Sequence, residues 1–255
     1  MIGYIENFII SRIIYLGYSL RIFVSLILEF LPLLRRPGLF TKQIYFLGNQ
    51  SFVIIAVSGL FVGFVLALQV YYILNRYSSE EELGLLVAIS LVRDLGPVLT
   101  ALLFEGRAGT SLTAEIGLMK SGEQLTALEM MGIDPIKNIM APRMLAGVVV
   151  MPMLTAVFNA IGILGGYIVS LILISIDPSA FWSQMQNGVD TWYDIGNGLL
   201  KSILFGFATT FIALFHGYES RPTPEGISSA TTKTVVYGSL IVLGFNFILT
   251  ALMFS

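Results

Sequence analysis

The chain has 255 residues, of which 56% are hydrophobic and only 12% charged, and a mean hydropathy of +0.84. That leaves too few ionisable groups to cover a soluble globule of this size. A formal charge of -2 and no cysteine exclude an electrostatic footprint for nucleic acid, disulfides, thiolate metal sites and a cysteine nucleophile. The composition is that of a membrane protein.

Over the first 34 residues, Ile5, Phe8, Ile9, Ile13, Leu16 and Leu20 recur at helical spacing, interrupted by Glu6, Arg12, Arg21 and Glu29. This predicts a helix lying in the membrane interface. The alternative is a sixth span at about 13 to 31, which would put Arg21 inside the bilayer. The scattered charges and the lack of a small-residue cleavage pattern argue against a removable signal peptide. Pro32 and the Arg35-Arg36-Pro37-Gly38 stretch end this element.

Five apolar stretches follow, at roughly 44 to 74, 83 to 104, 144 to 176, 195 to 215 and 235 to 254. Each is long enough to cross a ~30 Å hydrocarbon core as a helix. Residues 53 to 68 are apolar on both alternate sets of positions, unlike a barrel strand. Gly59-x-x-x-Gly63 and Gly162-x-x-x-Gly166 put small residues on one helix face, for packing within the chain or between subunits.

The second stretch contains Leu91-Val92-Arg93-Asp94-Leu95-Gly96-Pro97. Two charges in mid-span each cost several kcal/mol unless paired, hydrated or set in a cavity. Neighbours on a helix point about 100 degrees apart, so Arg93 and Asp94 need partners elsewhere. Pro97 has no amide hydrogen to give the Arg93 carbonyl, which places a kink at the charged pair. The pattern predicts a broken helix lining a polar cavity, with a structural interhelical ion pair as the alternative.

The connection at 105 to 143 is too helical for a linker. Leu125, Leu128 and Met130 or Met131 share one face beside Glu123 and Glu129, ahead of a stop at Gly132-Ile133-Asp134-Pro135. Such an amphipathic helix packs on the membrane or docks in a groove of a partner. Asp177-Pro178 reads as a cap and first position opening a short outer helix near 178 to 188.

Lys and Arg set the expected orientation. Eleven of the fourteen lie in the first segment and in the connections at 105 to 143 and 216 to 234. By the positive-inside rule these are cytoplasmic, so the N-terminus is inside and the C-terminus outside, with Trp182, Trp192 and Tyr193 at the outer interface. Catalytic signatures are missing. The one histidine, His216, stands without a HExxH or G-x-S-x-G context, and no phosphate loop for ATP occurs.

The run from Leu91 through Gly106-Arg107-Ala108-Gly109, Glu115 and Glu123 to Asp134-Pro135, with Ile176-Asp177-Pro178, Trp182-Ser183-Gln184-Met185-Gln186-Asn187 and Gly226-Ile227-Ser228-Ser229-Ala230, resembles the MlaE permease family, also called the YrbE or MCE-associated permeases. The resemblance covers about residue 40 to the end. It implies an all-α integral membrane fold: an N-terminal interfacial (elbow) helix over 1–40, then a permease domain over 41–255 with five transmembrane helices. A cytoplasmic coupling helix would lie between the second and third spans and a short periplasmic helix between the third and fourth.

In function, the resemblance implies a Gram-negative inner-membrane ABC permease that moves glycerophospholipids and maintains outer-membrane lipid asymmetry. It implies a homodimer, an MlaF-like ATPase, an MlaB-like STAS-domain subunit and an MlaD-like MCE-domain hexamer. The chain itself would hold no cofactor and would not be an enzyme; ATP and Mg2+ would be used by the ATPase. The implied lipid site comprises Leu66, Ile73, Tyr77, Arg93 and Asp94, with Lys42 and Lys233 as further contacts. The implied coupling helix runs from about 115 to 131 and includes Glu115, Glu123, Leu125, Leu128, Glu129, Met130 and Met131. Without the resemblance, an ion-coupled transporter of a small solute using Asp94, or a lipid-modifying enzyme, also stands.

Overall fold

The computed structural model describes residues 14, 17–29, 37–174 and 177–253. The expectations resting on Ile5, Glu6, Phe8, Ile9, Arg12, Ile13, Leu16, Pro32, Arg35, Arg36 and Ile176 lie outside these residues. Apolar runs of this length can satisfy their backbone in a membrane only as helices, and the described residues form helices with no strand among them.

In chain order these are α1 (Gly17–Leu28), α2 (Pro37–Asn75), α3 (Glu80–Ser121), α4 (Gln124–Met130), α5 (Ile136–Ile172), α6 (Pro178–Gly188), α7 (Trp192–Glu219) and α8 (Pro224–Met253). Five of them, α2, α3, α5, α7 and α8, are long and apolar enough to cross a membrane. They run alternately up and down, so α4 marks one end of the bundle and α6 the other. Each spanning helix reaches beyond its apolar run at the α4 end. In particular α3 continues to Ser121, well past residue 104 where its apolar run stops.

The segment 115–131 is therefore two helices. Its first part finishes α3; Gly122 closes that helix, and Glu123 takes a left-handed backbone at φ 56° before α4 begins. A non-glycine residue there costs about 1 kcal/mol. Glu123→Gly is expected to raise the thermal midpoint by roughly 2–4 °C; an unchanged or lower midpoint in a thermal scan would contradict the strained reading. Gly132, at φ 76°, then ends the connection as its sequence suggests.

Packing of α2 on α5 explains both glycine motifs. A Cβ on Gly63 would collide with the Gly162 carbonyl, one on Gly59 would meet the Phe158 carbonyl at 2.9 Å, and one on Gly165 the Leu60 carbonyl at 2.6 Å. The two GxxxG faces meet within the chain, where small residues let backbones touch. Carbonyls of a helix cannot swing aside. Gly63→Val is thus expected to lose about 1–3 kcal/mol by overpacking, seen as a lower melting temperature in detergent.

The apolar interior divides in two. One cluster fills the α2–α3–α5 interface around Leu91, Phe104, Leu154 and Phe158. The other lies at the α4 end, where Ile22 and Leu26 of α1 pack with Ile116, Leu125, Met144, Leu214 and Phe215. Phe23 of α1 meets Phe211 of α7 edge-on at 5.0 Å, and Glu29 pairs with Lys137 at 2.9 Å. The described helix of α1 is shorter than the roughly 20 residues a span requires. At the opposite end Asp177 caps α6, its Oδ1 accepting the Ser179 amide at 3.0 Å, with Pro178 in the first helical position.

Candidate functional site

The site grows from a local widening of α3, which runs continuously from Glu80 to Ser121, so the break expected at Pro97 is a single π-type turn. Residues Leu91–Leu95 form a wider, π-type turn ahead of Gly96 and Pro97, which open the next regular stretch. Such single turns are found where a helix carries a functional site. Pro97 leaves the Arg93 carbonyl without its usual donor, and Lys201 of α7 supplies one, its Nζ lying 2.9 Å from that oxygen. The same ammonium donates to Asp94 Oδ1 at 2.6 Å and to Thr250 Oγ1 of α8 at 2.8 Å, while Thr250 donates to Asp94 Oδ1 at 2.9 Å. Lys201 is fully buried, which a lysine tolerates only when its donors are met in this way.

Arg93 finds its own partner at the start of α7. Its Nε and Nη2 each lie 2.7 Å from Asp194 Oδ1, and Asp194 Oδ2 accepts the Asp190 amide at 3.0 Å. Asp190 in turn caps α7, accepting the Trp192 and Tyr193 amides. Two positive and two negative groups thus balance across α3 and α7. The buried members, Asp194 and Lys201, are fully enclosed, whereas the Arg93 and Asp94 side chains are 32% and 42% exposed. Chemically, a guanidinium and a carboxylate stand at the surface, each held in place by a buried counter-charge. Arg93 is the natural ligand for a phosphate oxygen, and Asp94 for an ammonium or hydroxyl.

As the spacing of the pair requires, Arg93 and Asp94 are not partners of each other. Sequence reasoning missed Asp194 and Thr250 and did not give Lys201 a role. A signal was available: Asp194 and Lys201 are seven residues apart, hence on one face of α7, Asp194 at the edge of the apolar run and Lys201 within it.

Of the other residues expected at this site, Leu66 and Ile73 share one face of α2 and Tyr77 lies in the turn just after it, with Ile73 and Tyr77 59% and 76% exposed. Lys42 and Lys233 are not brought to Arg93. Lys42 lies near Glu115 at the α4 end, and Lys233 is an exposed neighbour of Thr234, which bonds Thr113. His216 is engaged with Thr234 at 3.2 Å.

The residues expected to couple to a partner split into two groups. Glu115 pairs with buried Arg143 at 2.6 Å, and Leu125 is buried in the second cluster. Leu128 is half-buried, while Glu123, Glu129, Met130 and Met131 are exposed. Leu125 therefore anchors α4, and the acidic and methionine side chains face outward.

Fold and site together define a multi-span helical membrane protein with a charged site beside a π-type turn of a spanning helix. The sequence profile of the family described as Permease MlaE matches residues 40–252. The intermembrane phospholipid transport system permease protein MlaE of Haemophilus influenzae is 58% identical over 217 residues, covering 85% of this chain and 83% of that protein. A probable ABC transporter permease protein of Rickettsia bellii is 35% identical over 98% of both chains, and one of Synechocystis is 35% identical over 84% of this chain and 81% of its own. The chain belongs to the MlaE permease family.

Proposed function

We propose that the chain is the membrane-spanning permease subunit of an ABC transporter that moves glycerophospholipids between a bacterial inner membrane and the periplasm, maintaining outer-membrane lipid asymmetry. The observation that carries this reading is Arg93: a guanidinium one-third exposed, fixed by buried Asp194, at a π-type turn in a spanning helix. Together with the relatives named as ABC and phospholipid permeases, it supports a site where Arg93 holds the phosphate and Asp94 the polar tail of the head group. Apolar stripes such as Leu66, Ile73 and Tyr77 take the acyl chains. Lys42 and Lys233 act away from this site.

The chain works as a homodimer. Only 28% of the apolar window of α2 and 11% of that of α8 is buried within one chain, which leaves broad faces for a second copy and for lipid. An MlaF-like ATPase hydrolyses ATP with Mg2+; MlaB-like and MlaD-like subunits complete the assembly on the cytoplasmic and periplasmic sides. α1 is the elbow helix, and α4, with Glu123, Glu129, Met130 and Met131 outward, is the coupling helix. α6 is periplasmic.

The orientation has a direct test, because the chain contains no cysteine. A single cysteine replacing Glu129 is expected to react with an impermeant maleimide only from the cytoplasmic side, and one replacing Trp192 only from the periplasmic side; the reverse pattern contradicts the topology. For transport itself, the permease reconstituted with its ATPase is expected to move labelled phospholipid only when ATP is hydrolysed. Transport by the chain alone, driven by an ion gradient, would instead favour a secondary transporter.

A further inference from the structure

At the α4 end, far from Arg93, α2, α3 and α5 border a half-open cavity of about 330 Å3. Gln43 and Phe46 of α2, Glu115 and Met119 of α3, and Ile139 and Arg143 of α5 line it. The Arg143 side chain is only 7% exposed. It donates Nη2 to Glu115 Oε1 at 2.6 Å and Nη1 to the Ile139 carbonyl at 3.2 Å. A two-point fork would have used Nε and both carboxylate oxygens. Here the pair meets at one point, and Arg143 Nε, Glu115 Oε2 and Gln43 Oε1 are all buried without a hydrogen-bond partner.

Buried polar atoms left unmet are costly, and three from three different helices at one cavity define an unfilled recognition pattern. The pattern is a donor beside two acceptors. Its complement is a molecule with an oxyanion for Arg143 Nε and, a few bonds away, an ammonium or hydroxyl for Glu115 and Gln43. A phosphodiester carrying ethanolamine or glycerol has this order of groups. Phe46, Met119 and Ile139 give apolar walls for the carbon atoms attached to the phosphate, and exposed Lys42 stands at the rim. The cavity is of ligand size, and basic pockets between spanning helices at a membrane face are the usual seats of lipid head groups.

We propose that this cavity is a second phospholipid site, which seats a head group bearing an ammonium or hydroxyl at the α4 face of the bundle. Glu115 is 22 residues from Arg93 along one helix, roughly 30 Å, so one head group cannot occupy both places. The inference rests on the reading of the bundle as membrane-spanning and is independent of Arg93 as the transport site.

The test is native mass spectrometry of the full chain, purified with its co-eluting subunits, delipidated, then titrated with phosphatidylethanolamine, phosphatidylglycerol, soluble glycerophosphoethanolamine and inorganic phosphate. One phospholipid per chain is expected to remain bound in Arg93→Ala, and the parent is expected to hold that lipid in addition to any lipid at the Arg93 site. Met119→Trp, which narrows the cavity and gives up only the weak Arg143 Nη2–Met119 Sδ contact at 3.9 Å while keeping both members of the Arg143–Glu115 ion pair, is expected to weaken that lipid about tenfold. Glu115→Gln, nearly the same shape, is expected to lower retention of phosphatidylethanolamine more than of phosphatidylglycerol, a change of preference that a merely structural pair would not give. Unchanged binding in Met119→Trp overturns the proposal, as does loss of all bound lipid in Arg93→Ala alone. Binding of the soluble compounds as tight as that of the lipids also overturns it, in favour of a free phosphate ligand.

Discussion

Replacing Lys201 with Met is expected to destabilise the protein by about 2–3 kcal/mol. The side chain is fully buried and serves three acceptors on two helices: the Arg93 carbonyl, Asp94 Oδ1 and Thr250 Oγ1. Methionine keeps the volume but leaves the Arg93 carbonyl unmet and the Asp94 carboxylate with Thr250 as its remaining donor. Breaking a buried pair by removing one partner costs about 3–5 kcal/mol, and the figure is lowered here because Asp94 is 42% exposed and retains water. Lys201→Met combined with Asp94→Leu is expected to recover part of the loss, since both charges then leave together. The check is thermal unfolding of the purified chain in one detergent, for both singles and the double. A double variant as unstable as the sum of the singles would show that the two side chains are not coupled.

Arg93→Ala is expected to reduce ATP-dependent phospholipid transport about tenfold to a hundredfold while the chain still assembles with its partners. The reasoning is geometric. The guanidinium is the exposed half of its pair with Asp194, so its loss removes a phosphate ligand from the surface while the π-type turn, set by Pro97 and Lys201, survives. Asp194 is left buried with its charge unmatched, so some stability is lost as well; Arg93→Ala with Asp194→Asn is expected to restore stability without restoring transport. Arg93→Lys keeps the charge and loses the planar fork, and is expected to fall between. Normal transport in Arg93→Ala, measured in reconstituted vesicles, would make the pair structural only.

How much of this was legible beforehand differs from element to element. Spans of about 20 apolar residues announce themselves, because only a helix meets backbone polar groups in hydrocarbon. Their ends do not: α3 runs on to Ser121 because Glu115 is neutralised by Arg143 and the residues around it pack on α7 and α8, which hydropathy does not register. The break at Gly122–Glu123 was equally hidden, since a left-handed backbone is an unfavourable choice for glutamate. Arg93 and Asp94 stood out as charges in an apolar run, and their spacing showed that they need outside partners. Which partners they have is a matter of how α3, α7 and α8 are registered against one another, and no local pattern contains that. Lys42 and Lys233, drawn to the Arg93 site by resemblance alone, lie toward the other end of the bundle.

The most direct test of the account is a mild-detergent pull-down of the full chain, with mass spectrometry of the proteins and lipids that come with it, repeated with Glu123 and Glu129 both changed to Lys. The account predicts an ATPase subunit and bound phospholipid on the parent chain, and loss of the ATPase but not of the lipid when the outward charges of α4 are reversed. A chain that elutes with neither ATPase nor phospholipid would contradict it.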